Sequence, residues 1–317
     1  MAIESNLLQT IAQRSQGLSE RFPAVLLGPG DDCALVDPRG PVLLTVDHVV
    51  AGRHVPEWTD GGVTDALIDL TARKAVARSI SDIAAMAGTP IASLATACLP
   101  AWVSQPVANA LFERMKFWAE RWHAPIVGGD IATLGPSQAG PMVLTVTVLG
   151  TPHPRRGAVL RSGAKPGDGV YVTGALGGSL KSGRHASFEP RVEAAASLAD
   201  ALGDRLTAMM DLSDGLGLDG ARLARASNVT LELDERAIPR HADAQGPLAP
   251  IRDGEDYELL FTARAEPPAS LARGADALPV TRIGTVIAPA TDPGCVLVQA
   301  DGFRRDISTL GWDHGGA

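Results

Sequence analysis

Val42-Leu-Leu-Thr-Val-Asp47 is a short apolar, β-branched run that ends on a carboxylate. The same arrangement returns at Pro125-Ile-Val-Gly-Gly-Asp130 and at Thr207-Ala-Met-Met-Asp211. Runs of this kind read as strands, and carboxylates at their ends beside glycine are where α/β folds place ligands. Outward from the first run, Leu67, Leu70, Val76, Ile80, Ile83, Ala84 and Ala87 recur at helical spacing. The pattern predicts a helix over 64–87, capped by Thr64 and stopped by Gly88 and Pro90. Ile91 to Leu99 reads as a strand, and Val107, Leu111, Met115, Trp118 and Trp122 form one stripe of a second helix. Met142 to Leu149 alternates as a half-buried strand does.

Thr151-Pro-His-Pro-Arg-Arg-Gly157 is turn-rich and predicts a boundary between domains 1–152 and 153–317. Beyond it, strand Gly169–Thr173 runs into Gly174-Ala-Leu-Gly-Gly178. Helices are predicted over about 191–202 and 216–226, and strands over 230–233, 258–262, 280–286 and 295–299. At 317 residues, two domains of mixed helix and strand are expected.

Composition narrows the function. The net charge is −8 and aromatic content is 4%, so neither a basic footprint nor a base-stacking platform for nucleic acid is present. Cys33, Cys98 and Cys295 are odd in number and form no CxxC, which points to a reducing, cytoplasmic setting. The Met1–Asn6 start has no basic segment leading into an apolar one, and the longest apolar stretch, around Met142–Leu149, is too short to span a bilayer. No membrane partner is expected.

The chemistry rests on aspartates. Asp31 and Asp32 stand in Leu27-Gly-Pro-Gly-Asp-Asp, and Asp214 follows Asp211 in Asp211-Leu-Ser-Asp-Gly-Leu. Converging carboxylates repel one another unless a cation lies between them, and hard oxygen donors without His or Cys select magnesium or manganese. A lone Asp beside glycine is more often a turn or a helix cap. Asp82 lies four residues after Arg78, which also fits a surface ion pair. Gly174, Gly177 and Gly178 precede Lys181-Ser182 without P-loop spacing, so a plain strand-to-helix turn is the better reading.

Longer motifs go further. Gly30-Asp-Asp-Cys-Ala, Thr45-Val-Asp, Gly52-Arg-His54, Lys74-Ala-Val, Ser81-Asp-Ile-Ala-Ala-Met, Gly128-Gly-Asp, Arg161-Ser-Gly-Ala-Lys-Pro-Gly-Asp, Asp211-Leu-Ser-Asp-Gly-Leu, Gly254-Glu-Asp-Tyr-Glu-Leu and Gly311-Trp-Asp-His follow in order. Together they resemble the thiamine-monophosphate kinase family of the aminoimidazole-ribonucleotide synthetase superfamily. The resemblance implies an α+β fold of two domains, the N-terminal one pairing in a homodimer and the C-terminal one α/β. It implies phosphoryl transfer from ATP to thiamine phosphate with Mg2+. By matching motif, Asp32, Asp47, Asp82, Asp130, Asp211 and Asp214 look like magnesium ligands, with Thr45 assisting. Gly129, Asp130, Arg161 and Ser213 look like ATP contacts, and His54, Glu255 and Trp312 like thiamine phosphate contacts. The chain departs from the family pattern at Val55, Ser79, Ile131-Ala132 and the Gly315-Gly-Ala terminus. The alternatives are a cyclo-ligase of the same superfamily and a nucleotide-binding protein without turnover.

Overall fold

The computed structural model describes residues 10–11, 13–29, 33–135, 137–273 and 276–312. Asp32 and the residues after Trp312 lie outside that range, so their expected roles rest on sequence. The chain divides into two compact units, Met1–Ile83 with Thr89–Thr151, and Ala84–Gly88 with Pro152–Ala317.

In the first unit a short helical turn, Leu18–Arg21, precedes an antiparallel pair, β1 (Val25–Leu27) and β2 (Leu35–Val36). Then follow β3 (Leu43–Val50), α1 (Asp65–Ala85), β4 (Thr89–Leu99), α2 (Gln105–Arg121), β5 (Ile126–Thr133) and β6 (Val143–Thr151). The sheet order is β3-β6-β4-β5, so the last strand in sequence lies inside the sheet. Thr64 Oγ1 accepts the Leu67 N–H at 3.2 Å and caps α1 as expected. Leu144, Val146 and Val148 of β6 are buried on one face. Helix α1 covers that face, with Ser79 Oγ donating to the Val146 carbonyl at 2.8 Å. Arg73 sits over the Trp118 ring at 4.4 Å, tying α1 to α2. The other face stays open, with Leu44 and Val46 at 67% and 60% exposure and Leu94 at 40%.

The second unit contains β7 (Gly169–Thr173), α3 (Val192–Leu202), β8 (Leu206–Asp211), α4 (Leu216–Ser227), β9 (Thr230–Asp234), β10 (Leu259–Ala263), β11 (Ser270–Arg273), β12 (Asp276–Ile287), β13 (Gly294–Val298) and β14 (Arg304–Asp306). Its sheet runs β14-β13-β9-β12-β7-β10-β8, with β11 paired to β12. Only β9 and β13 pair in parallel among these strands. Strands β7, β8 and β10 are buried along their whole length. The reason is a core on each face. Val170, Val172, Met210 and Leu260 pack with Leu223 and Ala224 of α4, while Tyr171, Met209 and Phe261 pack with Ala195 and Leu198 of α3. A sheet covered by helices on both sides loses the alternation of polar residues that a solvated face imposes. No helix among the described residues is long and apolar enough to cross a membrane.

Candidate functional site

In the first unit the sheet register sorts the candidate aspartates. Thr45 and Asp47 pair with Val148 and Val146, and therefore point to the face covered by α1. There the Thr45 hydroxyl donates to the Asp82 carboxylate of α1. Arg78 Nη2 lies 3.4 Å from Asp47, and its Nη1 donates to the His48 carbonyl at 2.8 Å. Asp130 pairs with Thr96, which pairs with Thr145, which pairs with His48. It therefore belongs to the opposite, open face. Strands β3 and β5 are the two edges of the sheet, about 14 Å apart at roughly 4.8 Å per spacing. The structure thus brings Thr45, Asp47 and Asp82 together and leaves Asp130 elsewhere. Sequence spacing could not show this, because the fourth strand inserts between the first two. A cavity of about 830 Å³ opens beside Gly129 and Asp130, walled by Leu94, Phe112 and Met115 among others.

His54 is buried in the turn after β3, its Nδ1 accepting the Val50 N–H at 3.0 Å. The fully buried Lys74 donates to the His54 carbonyl at 2.8 Å and fixes that turn to α1. Val55, one of the departures, is buried beside it.

In the second unit three separate motifs meet. Asp211 ends β8 and is buried. The Glu255 N–H donates to the Ser213 carbonyl at 2.7 Å, the Tyr257 N–H to Leu212 at 2.8 Å, and the Trp312 N–H to Asp214 at 2.8 Å. A Cβ on Gly254 would lie 2.6 Å from the Ser213 carbonyl oxygen, and one on Gly311 would lie 2.6 Å from that of Asp214. Both glycines are therefore required by the close approach of backbones. Ser213, Asp214, Glu255 and Trp312 converge through main-chain contacts. Trp312 is 57% exposed. Arg161, the remaining ATP candidate, is exposed, and its carbonyl accepts the Ser227 hydroxyl at 3.0 Å.

Two residues that the sequence reading did not single out hold Asp214. Asp219 is fully buried and accepts the N–H groups of Asp214 and Gly215 at 2.8 and 3.1 Å, closing the start of α4. Burial pushes its carboxyl up to about 6, against the pull of those amides and of Arg222. The Arg222 guanidinium bridges Asp219, at 2.7 Å, and Asp214.

The Gly-Glu-Asp-Tyr-Glu segment is strained and heavily anchored. Glu255 and Tyr257 have φ of 66° and 52°, a region that costs non-glycine residues about 1–3 kcal/mol each. Asp256 is buried, accepting the Gly177 N–H at 2.8 Å and Arg184 Nη2 at 3.1 Å. Burial raises its carboxyl to about 7, while the amide and the guanidinium lower it. Asp253 accepts the Gly178 N–H at 3.1 Å. The glycine-rich turn therefore spends its amides on protein carboxylates, which is the behaviour of a structural turn. Glu258 forms a buried pair with Arg191.

Among the described residues, no three His, Cys, Asp or Glu side chains form a ready-made metal cluster. Thr45, Asp47 and Asp82 share one face in the first unit, and Asp211 and Asp214 lie three residues apart after β8 in the second; their oxygen atoms are of the kind that suits a hard cation.

The AIR synthase related protein N-terminal domain matches residues 30–151, and its C-terminal domain matches residues 165–292. The thiamine-monophosphate kinase of Rhodopirellula baltica is 36% identical over 286 residues, covering 86% of this chain and 87% of that one. That of Bacillus subtilis is 31% identical, covering 98% and 99%. Among solved structures, the thiamine-monophosphate kinase of Stenotrophomonas maltophilia is similar with a TM-score of 0.69 at 26% identity, over 93% of this chain and 94% of that one. The hydrogenase maturation protein HypE shares the fold, with a TM-score of 0.72 at 18% identity, over 96% and 98%.

Proposed function

The chain belongs to the AIR synthase related proteins and, within them, to the thiamine-monophosphate kinase family, and on that premise we infer that it moves the terminal phosphoryl group of ATP onto thiamine phosphate, giving ADP and thiamine diphosphate. The observation that carries this reading is the convergence of Ser213-Asp214, Glu255 and Trp312 through backbone bonds. It supports a single site built from three motifs that lie up to 99 residues apart in sequence, from 213 to 312.

The acceptor supplies its own nucleophile. A phosphate monoester has its second pKa near about 6 and is largely dianionic at neutral pH. No side chain has to remove a proton, so positioning and charge neutralisation carry the reaction. Gly129, Asp130, Arg161 and Ser213 are assigned to ATP. The apolar walls of the cavity beside Gly129 suit a purine ring. His54, Glu255 and Trp312 are assigned to thiamine phosphate, whose cationic thiazolium is attracted to a carboxylate and to an indole face. Thr45, Asp47, Asp82, Asp211 and Asp214, with Asp32 by sequence alone, would hold magnesium, which supplies positive charge against the phosphates; Asp130, on the other face of the first sheet, would serve a separate ion.

The test is ADP release with ATP and magnesium against thiamine phosphate, free thiamine and formylglycinamidine ribonucleotide. Turnover is expected with thiamine phosphate and not with free thiamine, which brings no ionised oxygen. In the same assay Trp312→Ala is expected to raise the KM for thiamine phosphate about three- to thirtyfold and to spare that for ATP. Turnover of the ribonucleotide instead would make the chain a cyclo-ligase, and binding of ATP without any turnover would leave it a nucleotide-binding protein.

A homodimer built on the open face of the first sheet belongs to the same reading. Leu44 and Val46 present an apolar surface there. Light scattering at micromolar concentration should give twice the 32.9 kDa chain mass, and Val46→Lys should shift it toward one. A single-chain mass for the unaltered protein would refute the dimer. A cytosolic location suits an enzyme that consumes ATP.

A further inference from the structure

Residues 255–258 and 184–191 face one another pair by pair. Glu255 Oε2 lies 3.5 Å from His185 Nδ1. Asp256 accepts Arg184 at 3.1 Å, and Tyr257 stacks on Phe188 with centroids 3.9 Å apart. Glu258 accepts Arg191 Nε at 2.8 Å. Four consecutive residues thus find partners on one segment whose regular structure is a single 3-10 turn, Arg184–Ala186.

Three of these contacts are buried and structural: Asp256, Tyr257 and Glu258 are each 3% exposed or less. The fourth differs. Glu255 keeps 21% of its side chain exposed and His185 keeps 11%, so this pair sits at the edge of the anchored block. Glu255 has a left-handed backbone, with φ of 66°. A glycine would relieve that conformation, yet a carboxylate occupies it. The segment opposite also has donors to spare. Arg184 Nε and Arg191 Nη1 are buried without a hydrogen-bond partner among the described residues.

The geometry points to His185 as a positioning residue for the acceptor: it holds the Glu255 carboxylate in the orientation that meets thiamine phosphate, and it leaves ATP alone. The assignment rests on Glu255 being a thiamine phosphate contact. A glutamate at a partly open position samples several rotamers, and fixing it on binding weakens the substrate interaction. A neighbour that fixes it beforehand strengthens that interaction. The anchors on Asp256 and Glu258 set the main chain, and His185 holds the carboxylate of the least buried of the four residues.

Steady-state kinetics on the full chain test this with His185→Ala, His185→Gln, Glu255→Gln and the double variant His185→Ala/Glu255→Gln. His185→Ala should raise the KM for thiamine phosphate about three- to tenfold, with the KM for ATP and kcat within about twofold. His185→Gln, which keeps a donor near the carboxylate, should recover most of the loss. The double variant should be no worse than Glu255→Gln alone, because the histidine acts through the glutamate. Calorimetric binding of thiamine phosphate, measured well below each variant's thermal midpoint, separates affinity from stability. Equal rises in both KM values, no rise in either, or additive losses in the double variant would overturn the role of His185. If Glu255→Gln itself leaves the thiamine phosphate KM unchanged, the assignment of Glu255 fails and takes this proposal with it. If Glu255→Gln weakens thiamine phosphate while His185→Ala does not, only the present proposal fails.

Discussion

Arg191→Leu is expected to cost the second unit about 3–5 kcal/mol, the usual range for removing one partner of a buried ion pair. Arg191 and Glu258 are 8% and 4% exposed, and the guanidinium engages both carboxylate oxygens. Without Arg191, Glu258 keeps the Thr173 hydroxyl at 2.7 Å but loses its counter-charge in a site water does not reach. The Leu212 N–H donates to the Glu258 carbonyl at 2.9 Å, so a shift there moves the Asp211-Leu-Ser-Asp strand end as well. At roughly 2–4 °C per kcal/mol for a domain of this size, the thermal midpoint should fall by roughly 6–20 °C. Replacing both partners, Arg191→Leu with Glu258→Leu, should recover much of the loss, because the uncompensated charge goes too. Calorimetric or urea unfolding decides the matter, and a cost below about 1 kcal/mol for Arg191→Leu would show that the pair is solvated.

Much of the fold was legible because its elements bury one clear stripe or face. The run Gly169–Thr173 is apolar and closed by glycine, and it is a strand with those bounds. The cap at Thr64 and the stop at Gly88 frame a helix that spans Asp65–Ala85. Strand β11 was missed, and β12 begins at Asp276, four residues before the expected start at Val280. Pro279 obscured the alternation there, since proline in a run argues against a strand. Strand order is a different matter. Asp47 and Asp130 end similar apolar runs, yet β6 returns between their strands and the register puts them on opposite faces. That depends on contacts between distant residues, which no local pattern records. The same holds for Arg184, His185 and Arg191. Each reads locally as a solvated charge, and only the fold pairs them with Glu255, Asp256 and Glu258. Motif resemblance singled out Glu255 and Trp312, and the structure shows only that their main chain meets Ser213 and Asp214.

Removal of divalent metal should abolish activity, and this is the largest effect expected of any single change. Asp47, Asp82, Asp130, Asp211 and Asp214 are the described candidate carboxylates, and ATP adds phosphates of the same sign. Arg78 beside Asp47 and Arg222 beside Asp214 offset part of that charge within the protein. An arginine that already pairs with a carboxylate cannot also neutralise a triphosphate fully, which is why a cation from solution is expected. Asp47→Asn and Asp214→Asn should each lower kcat at least about a hundredfold, in line with the loss of one group that stabilises transition-state charge. Their folds should survive. The Asp47–Arg78 contact at 3.4 Å is partly solvated and worth about 0–1 kcal/mol. In Asp214→Asn the buried Asp219 keeps Arg222 and its two amides. Magnesium titration followed by calorimetry gives a readout apart from turnover, and each variant should bind the ion more weakly in the presence of a non-hydrolysable ATP analogue. Full activity in excess chelator would sink the metal assignment. Unchanged magnesium affinity in both variants, with activity lost, would instead place these aspartates among the residues that orient the nucleotide, with the ion held by other oxygens.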